Sequence, residues 1–138
     1  MYIDSINNGF VIDHIPAGAA MRLYDALGLG EVDAPVAIIK NAPSHRQGRK
    51  DIIKVDCLID INFDLVGYIA PDAVINVIKD GERVEKRAVE VPARITNVVK
   101  CQNPHCITTV EAELDQVFKL TDPDKRVYRC AYCEAKAA

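Results

Sequence analysis

The stretch GFVIDHIP at residues 9–16 decides the fold of the first part of the chain. Residues 9–12 predict a β-strand. Pro16 suits the first turn of a helix, because backbone N–H groups there have no acceptor within the helix and proline lacks an N–H. Apolar residues then recur at helical spacing and lead to glycines typical of a helix end: Ala20, Leu23, Leu27, Gly28 and Gly30. A strand that leads into a helix is therefore expected first.

The chain beyond this helix predicts four more strands and one more helix. The predicted strands are residues 36–40, 50–58, 73–79 and 83–91, and the predicted helix contains Leu65, Val66 and Ile69 and ends at Pro71. Asp80-Gly81 is a strong turn dipeptide and joins the last two strands in a hairpin. The order is typical of an α+β, ferredoxin-like N-terminal sandwich with one added strand.

The amino-acid composition argues against a membrane-spanning protein and against a nucleic-acid-binding protein. The 138 residues are 49% apolar and 27% charged, as in globular proteins, and no apolar run is long enough for a membrane span. Residues 1–4 do not begin a secretory signal, so we expect a cytoplasmic protein with reduced thiols and no membrane partner. A net charge of −3 and 6% aromatic residues argue against nucleic acid as a partner.

The cysteines indicate a division of the chain. Four of the five lie in the last 38 residues, and Pro92 marks a plausible seam between domains at residues 1–93 and 94–138. The first part has ten basic and 14 acidic residues, the second seven and six. Apolar residues alternate in the second part and predict a small all-β domain of short strands: Thr108, Val110, Ala112 and Leu114, then Phe118 and Leu120, then Tyr128 and Cys130.

The spacing of these cysteines predicts a metal site. Cys101-x4-Cys106 and Cys130-x2-Cys133 are each close enough for one turn to aim two sulfurs at a common centre. Four thiolates make a closed tetrahedral site, so we expect one structural zinc ion per chain in a zinc-ribbon domain. Much of the folding free energy of this domain would then come from metal binding.

Other interpretations of the cysteines are weaker. Two disulfides conflict with a reducing compartment, and the spacing departs from the plant-type iron–sulfur order. Four unligated thiols would leave a 45-residue domain with little core. His105 is not expected to be a ligand, because it adjoins Cys106 and four sulfurs already fill the shell. Cys57 is most simply a small core residue.

A polar group of residues in the first domain has two open interpretations. Lys54 lies on the polar side of its strand, Lys86 lies on the last hairpin, and Asp13 and His14 precede a helix start. Together they could bind a polyphosphate, or the lysines could form an ordinary solvated face. No Gly-rich phosphate loop is present. Asp13 and His14 are poor candidates for a hydrolase pair, because adjacent strand residues point to opposite faces.

Several separate motifs resemble one family. They are GFVIDHIP (9–16), GRKDIIK (48–54), the segment from Asn97 through CQNPHCIT (101–108), and YRCAYC (128–133). In these motifs the chain closely resembles the aspartate carbamoyltransferase regulatory chain, nearly end to end and with the same order of the four cysteines.

This resemblance implies a non-catalytic regulatory subunit that acts in pyrimidine biosynthesis. Its N-terminal allosteric domain would bind CTP or ATP as effectors, and its C-terminal zinc domain would dock on the catalytic chain. Regulatory chains would form homodimers that bridge catalytic trimers. The resemblance also implies that the nucleotide-binding residues are Ile6, Asp13, His14, Lys54, Asn76 and Lys86. The alternative, a zinc-ribbon nucleic-acid-binding module, needs a basic face with interleaved aromatic residues, which the charges do not favour.

Overall fold

A computed structural model of the chain describes residues 6–45, 47–111 and 113–137. The chain divides into two compact units, Met1–Glu90 and Val91–Ala138. The sequence places the seam three residues further along, after residue 93. None of the helices in the described ranges is long and apolar enough to cross a membrane.

The described part of the first unit is an antiparallel sheet with two helices. Its elements are β1 (Gly9–Pro16), α1 (Ala20–Ala26), β2 (Val36–Ser44), β3 (Gly48–Val55), α2 (Phe63–Ile69), β4 (Val74–Lys79) and β5 (Glu82–Ala88). The strand order is β2-β3-β1-β4-β5. The first four strands have the ferredoxin-like order, and β5 is added at the edge. The expected α+β sandwich is confirmed.

Strand alternation gives this sheet two different faces. On one face, Phe10 and Ile12 of β1 pair with Val55 and Ile53 of β3, and Ile12 also pairs with Ile75 of β4. All five are buried, and they form one core with residues of α1 and α2. Burying one isoleucine side chain stabilises the fold by roughly 1.5–3 kcal/mol, so these apolar residues hold the helices against this face of the sheet. Helices α1 and α2 leave the other face uncovered.

Local signals account for the helix ends. Gly28 has a left-handed φ of 68° directly after α1, as expected for a glycine that stops a helix. The side chain of Asn62 accepts a hydrogen bond of 3.2 Å from the N–H of Leu65 and so caps the start of α2. Both short helices therefore begin or end where their sequences provide a cap.

The buried carboxylate of Asp51 joins three segments of the first unit. Its side chain is inaccessible to solvent, and its Oδ2 atom accepts the backbone N–H groups of Gly18 and Ala20 at 2.9 and 3.1 Å. Its Oδ1 atom accepts the N–H of Asn41 in β2 at 2.8 Å. Because a buried carboxylate must be hydrogen-bonded to be tolerated, these three bonds tie β2, β3 and the start of α1 together.

The prediction that Pro16 begins a helix is wrong. Strand β1 continues to Pro16, and α1 begins four residues later at Ala20. The strand continues because a bulge between Ile12 and Ile15, with His14 at a φ of 58°, shifts the register and lets Ile15 pair with Asp51. Asp51 then provides the acceptors that the first turn of the helix needs.

The described part of the second unit is a three-stranded sheet with one helical turn. Its elements are β6 (Arg94–Thr96), α3 (Ile107–Val110), β7 (Val117–Asp122) and β8 (Val127–Cys130), and the strand order is β6-β7-β8. Its small core contains Ile95, Phe118 and Tyr128. The hydroxyl of Tyr128 donates to the carbonyl oxygen of Pro92 at 2.6 Å. The prediction of a small domain built on short antiparallel strands is confirmed.

The alternation predicted as a strand from Thr108 to Leu114 is wrong at its start, where the chain forms α3. Ala112 lies outside the described residues. The reason is local: the carbonyl oxygen of Cys106 accepts the N–H groups of Thr109 and Val110 at 3.0 and 3.3 Å, which winds one helical turn behind the cysteine. Thr108 is buried in this turn because it faces the cysteines, not because it alternates in a strand.

We expect Asp51→Ala to destabilise the first unit by about 3 kcal/mol or more, since it leaves three buried or partly buried N–H groups without an acceptor. Urea unfolding of the intact chain measures this change. The control is Asp60→Ala, an exposed carboxylate nearby, for which the change should stay within about 0.5 kcal/mol. Equal stability of the two variants would contradict the role assigned to Asp51.

Candidate metal centre and ligand-binding face

The four cysteines of the second unit converge on one point. The sulfurs of Cys101, Cys106, Cys130 and Cys133 all lie within 4.8 Å of one another. Two of the separations are 3.5 Å, from Cys101 to Cys133, and 3.7 Å, from Cys106 to Cys130. Metal–sulfur bonds of about 2.3 Å in a tetrahedron place the sulfurs about 3.8 Å apart. The cluster therefore has the dimensions of a closed tetrahedral metal site.

Backbone turns hold each pair of cysteines in place. The N–H of Cys106 donates to the carbonyl oxygen of Asn103 at 3.1 Å, and the N–H of Glu134 donates to that of Cys130 at 2.9 Å. Glu134 has a φ of 63°, so the chain turns sharply after Cys133. The side chain of Gln116 accepts the N–H of Cys101 at 3.0 Å and fixes the first cysteine to the sheet.

The surroundings of the thiols favour the thiolate form at two positions. The hydrogen bond with the Thr108 hydroxyl, at 3.1 Å, lowers the pKa of Cys106. The backbone N–H of Ala135, followed by the Asn103 side chain, lowers the pKa of Cys133. Burial raises the pKa of Cys101. A cation among the sulfurs favours deprotonation of all four, because thiolates are the form that binds metal.

The remaining candidate ligands lie elsewhere. His105 is exposed and is not part of the converging group of ligand atoms. Its backbone N–H donates to Oδ1 of Asn103 at 3.0 Å. Cys57 packs against the hydrophobic core of the first unit. Thr108 is the residue that sequence reasoning missed at this centre, since its position in an alternating pattern hid its contact with Cys106.

Three of the expected nucleotide-binding residues lie in one row across the uncovered face of the first sheet. Val11 of β1 pairs with Lys54 of β3 on one side and with Asn76 of β4 on the other, and Asn76 pairs with Lys86 of β5. Paired residues of neighbouring strands share a face, and neighbouring strands are about 4.8 Å apart. The row from Lys54 to Lys86 therefore spans about 14 Å.

Asp13 lies two residues beyond Val11, on the same face, and forms an ion pair with Lys50. The distance from Lys50 Nζ to Asp13 Oδ1 is 2.9 Å. Burial, the largest single influence, raises the pKa of Asp13, but the hydrogen bond and charge of Lys50 and the N–H of His14 outweigh it and hold the pKa below 3.8. Lys50 was missed as a site residue, although its spacing from Lys54 places both lysines on one side of β3.

Two polar side-chain atoms, one in β1 and one in β4, are buried and have no hydrogen-bond partner among the described residues. They are Nδ1 of His14 and Oδ1 of Asn76. Buried polar atoms are nearly always paired, so these two are exceptions within the described residues.

Ile6 lies at the opposite end of β1 from Asp13. It is buried, and the next residue, Asn7, accepts the N–H of Gly81 at 2.8 Å, which places this segment beside the turn between β4 and β5. The distance along β1 from Ile6 to Asp13 is at most about 23 Å. The structure thus brings Lys54, Asn76, Lys86 and Asp13 to one face and leaves Ile6 at its far end.

Comparisons with known proteins assign the chain to a family. Residues 1–90 match the family described as the aspartate carbamoyltransferase regulatory chain, allosteric domain, and residues 93–138 match its metal binding domain. The chain belongs to the aspartate carbamoyltransferase regulatory chain family. The expectation of a regulatory rather than a catalytic subunit is therefore confirmed, and the cysteine cluster lies in the metal-binding domain of the family.

Relatives with this name cover almost the whole chain. One from Clostridium acetobutylicum is 41% identical over 132 residues, which is 96% of this chain and 90% of the relative. One from Clostridium botulinum is 45% identical with the same coverage. One from Bifidobacterium longum is 39% identical over 137 residues, 99% of both chains. Each is named as an aspartate carbamoyltransferase regulatory chain.

We expect the purified chain to contain about one metal ion, and Cys106→Ser to lose it and unfold the second unit, because the remaining thiols cannot complete a tetrahedral shell. Metal analysis and hydrogen exchange in β7 and β8 measure these changes, with β1 as the internal reference. The matched control is Cys57→Ser, which removes the thiol outside the cluster and should leave the metal content unchanged. A folded second unit without metal would contradict this role of the cluster.

Proposed function

We propose that this chain is the effector-binding subunit of aspartate carbamoyltransferase, in pyrimidine biosynthesis. It binds CTP or ATP on the uncovered face of the first unit and docks on the catalytic chain through a second unit that contains zinc. The observation that carries the nucleotide site is the buried, unpartnered Oδ1 atom of Asn76, which lies in one row with Lys54 and Lys86. His14 Nδ1, in the same strand as Asp13, is the second buried atom without a partner among the described residues.

The charges of this face suit a nucleoside triphosphate. Lys54 and Lys86, with Lys50 nearby, supply ammonium groups for the phosphates, and ammonium–phosphate hydrogen bonds are among the strong ones. The free acceptor on Asn76 suits a donor such as a ribose hydroxyl or the exocyclic amine of CTP and ATP. Asp13 can accept from a ribose hydroxyl, and Ile6 can line a pocket for the base.

Zinc is the proposed metal because its preference for four sulfurs in a tetrahedron matches the cluster. The sulfurs are too far apart for disulfide bonds, which are about 2.05 Å long. A bound zinc ion would offset half of the thiolate charge and leave no open position for substrate, so its contribution is structural. Cys101 and Cys106 would then be held to Cys130 and Cys133, which fixes the shape of the unit that docks.

Exposed apolar side chains on the second unit support docking. Ile107 and Val110, one helical turn apart on α3, are 48% and 72% exposed, and Leu114 and Tyr132 are also exposed. Apolar groups of this size favour burial in an interface. The homodimer of regulatory chains is proposed for the first unit. Among the described residues β2 and β5 are its edge strands, and edge strands can pair with a second copy.

Regulation follows from linkage. An effector shifts the enzyme only if it binds one quaternary state more tightly than another, and couplings of about 1–3 kcal/mol are ordinary for allosteric proteins. Regulatory dimers that bridge catalytic trimers would carry this coupling. Four cysteines that must stay reduced to bind metal support a cytoplasmic location for the assembly. The nucleic-acid alternative gains no support, because the chain has a net charge of −3.

We expect Lys54→Ala and Lys86→Ala each to weaken CTP and ATP binding about tenfold or more, since each removes a charged hydrogen bond to phosphate. Calorimetric titration of the assembled enzyme measures the affinity. The control is Lys40→Ala. Lys40 is exposed on β2, and strand alternation places it on the opposite side of the sheet from its neighbour Ile39, away from this face. If both variants keep the affinity of the unaltered protein, these lysines are not in the site.

We expect chelation of the metal to release free catalytic trimers, because the docking unit loses the bonds that fix its shape. Gel filtration of the assembly before and after chelation measures the release, and added zinc should restore the larger species. An assembly that keeps its size after complete metal loss would disprove the docking role of the second unit.

A further inference from the structure

Four cations form a row across the exposed face of the sheet in the second unit. Arg94 of β6 pairs directly with Lys119 of β7, Lys119 pairs with Arg129 of β8, and Arg129 forms a bridge with Lys136. All four residues are exposed. We call these four residues the cationic row. At about 4.8 Å between strands, it extends about 14 Å at right angles to them.

This arrangement is unfavourable in the free chain. Like charges on directly opposed strand residues repel each other. Within the described residues, no carboxylate oxygen lies within 4.0 Å of a charged nitrogen of the row. The hydrogen bond found for these side chains is from Arg129 Nη1 to the carbonyl oxygen of Glu134, at 3.1 Å, which leaves the repulsion in place. An anionic partner would relieve it.

The row is separate from the metal centre. Cys130 follows Arg129 in β8, and Phe118 precedes Lys119 in β7, so the cysteine and the small core lie on the other face of the sheet. The row is therefore a second surface of this unit, distinct from the exposed apolar residues of α3.

The chemistry of the row favours an acidic protein surface. Four exposed cations in a line cannot enclose a small molecule, which a binding site normally buries by 70–90% or more. Nucleic acid is disfavoured because the unit as a whole has seven basic and six acidic residues, and four thiolates around a divalent cation add negative charge. Acidic residues at positions i and i+4 of a helix repeat at about 5–6 Å, close to the spacing of the row.

We propose that the cationic row docks an acidic helical segment of the catalytic chain. This inference rests on the proposed function, since it names a second contact within the proposed assembly. Exposed charge pairs mainly set the association rate and its salt dependence, so the row should matter most at low ionic strength.

The test compares two double variants in the assembly. Lys119→Gln with Arg129→Gln removes the centre of the row. Lys125→Gln with Arg126→Gln, in the exposed turn between β7 and β8, removes one lysine and one arginine elsewhere on the same unit. Binding of each chain to the catalytic trimer is measured at 50 and 500 mM NaCl, and melting of the metal-loaded chains is measured separately. A labelled duplex RNA is the second probe.

We expect the row variant to bind the catalytic trimer about tenfold more weakly at 50 mM NaCl and within about twofold of the unaltered chain at 500 mM. The turn variant should bind normally at both. The row variant should melt no earlier than the unaltered chain, because a repulsion has been removed.

Other results would overturn the inference. Equal weakening in both variants would mean that only net charge matters, and earlier melting of the row variant would mean that the row is already satisfied in the free chain. Salt-dependent RNA binding that requires the row would assign it to nucleic acid. Normal binding by the row variant would show that the row is not a docking surface and would leave the proposed function intact. Failure of the unaltered chain to bind the trimer would disprove the proposed function itself.

Discussion

The antiparallel register of β1 with its two neighbours is the constraint on which the first unit depends. Val11 meets Lys54 on one side and Asn76 on the other, while Phe10 and Ile12 face the core. A shift of one residue would turn the polar row into the core and the core residues outward. Asp51 helps to hold this register, because it sits opposite Ile15 and binds the backbone on both sides of β3. The sheet that would bind the effector and the core that stabilises it are therefore set by the same pairing.

Much of the first unit could be predicted from the sequence because its signals are local. Alternation in residues 50–58 identified a strand with a polar side, and Asp80-Gly81 identified a hairpin that the structure contains between β4 and β5. The bulge at His14 could not be predicted, because it depends on the pairing of Ile15 with Asp51, which is 36 residues away in the chain. For the same reason the sequence does not predict that β1 continues to Pro16 or that Lys50 pairs with Asp13.

In the second unit, the metal site could be predicted from the sequence, but the helical turn and the cationic row could not. The four cysteines could be predicted as a cluster because ligand spacing alone brings two sulfurs of each pair together. The turn of α3 could not, since its apolar alternation resembles a strand and only the contact of Thr108 with Cys106 shows otherwise. The cationic row is likewise invisible in the sequence, where its members are scattered from Arg94 to Lys136. It becomes a feature only when strand pairing sets them side by side.

The buried polar atoms of His14 and Asn76 that have no hydrogen-bond partner among the described residues limit the stability of the first unit. Each buried polar atom without a partner lowers the free energy of unfolding by about 1–3 kcal/mol. These two atoms therefore offset part of the stability that the hydrophobic core contributes. Apolar side chains at both positions would give a more stable protein without the two atoms that we propose contact a ligand. Under the proposed function, ligand binding and stability are thus opposed at these two positions, and heat-tolerant versions of the chain would have to gain their stability in some other region.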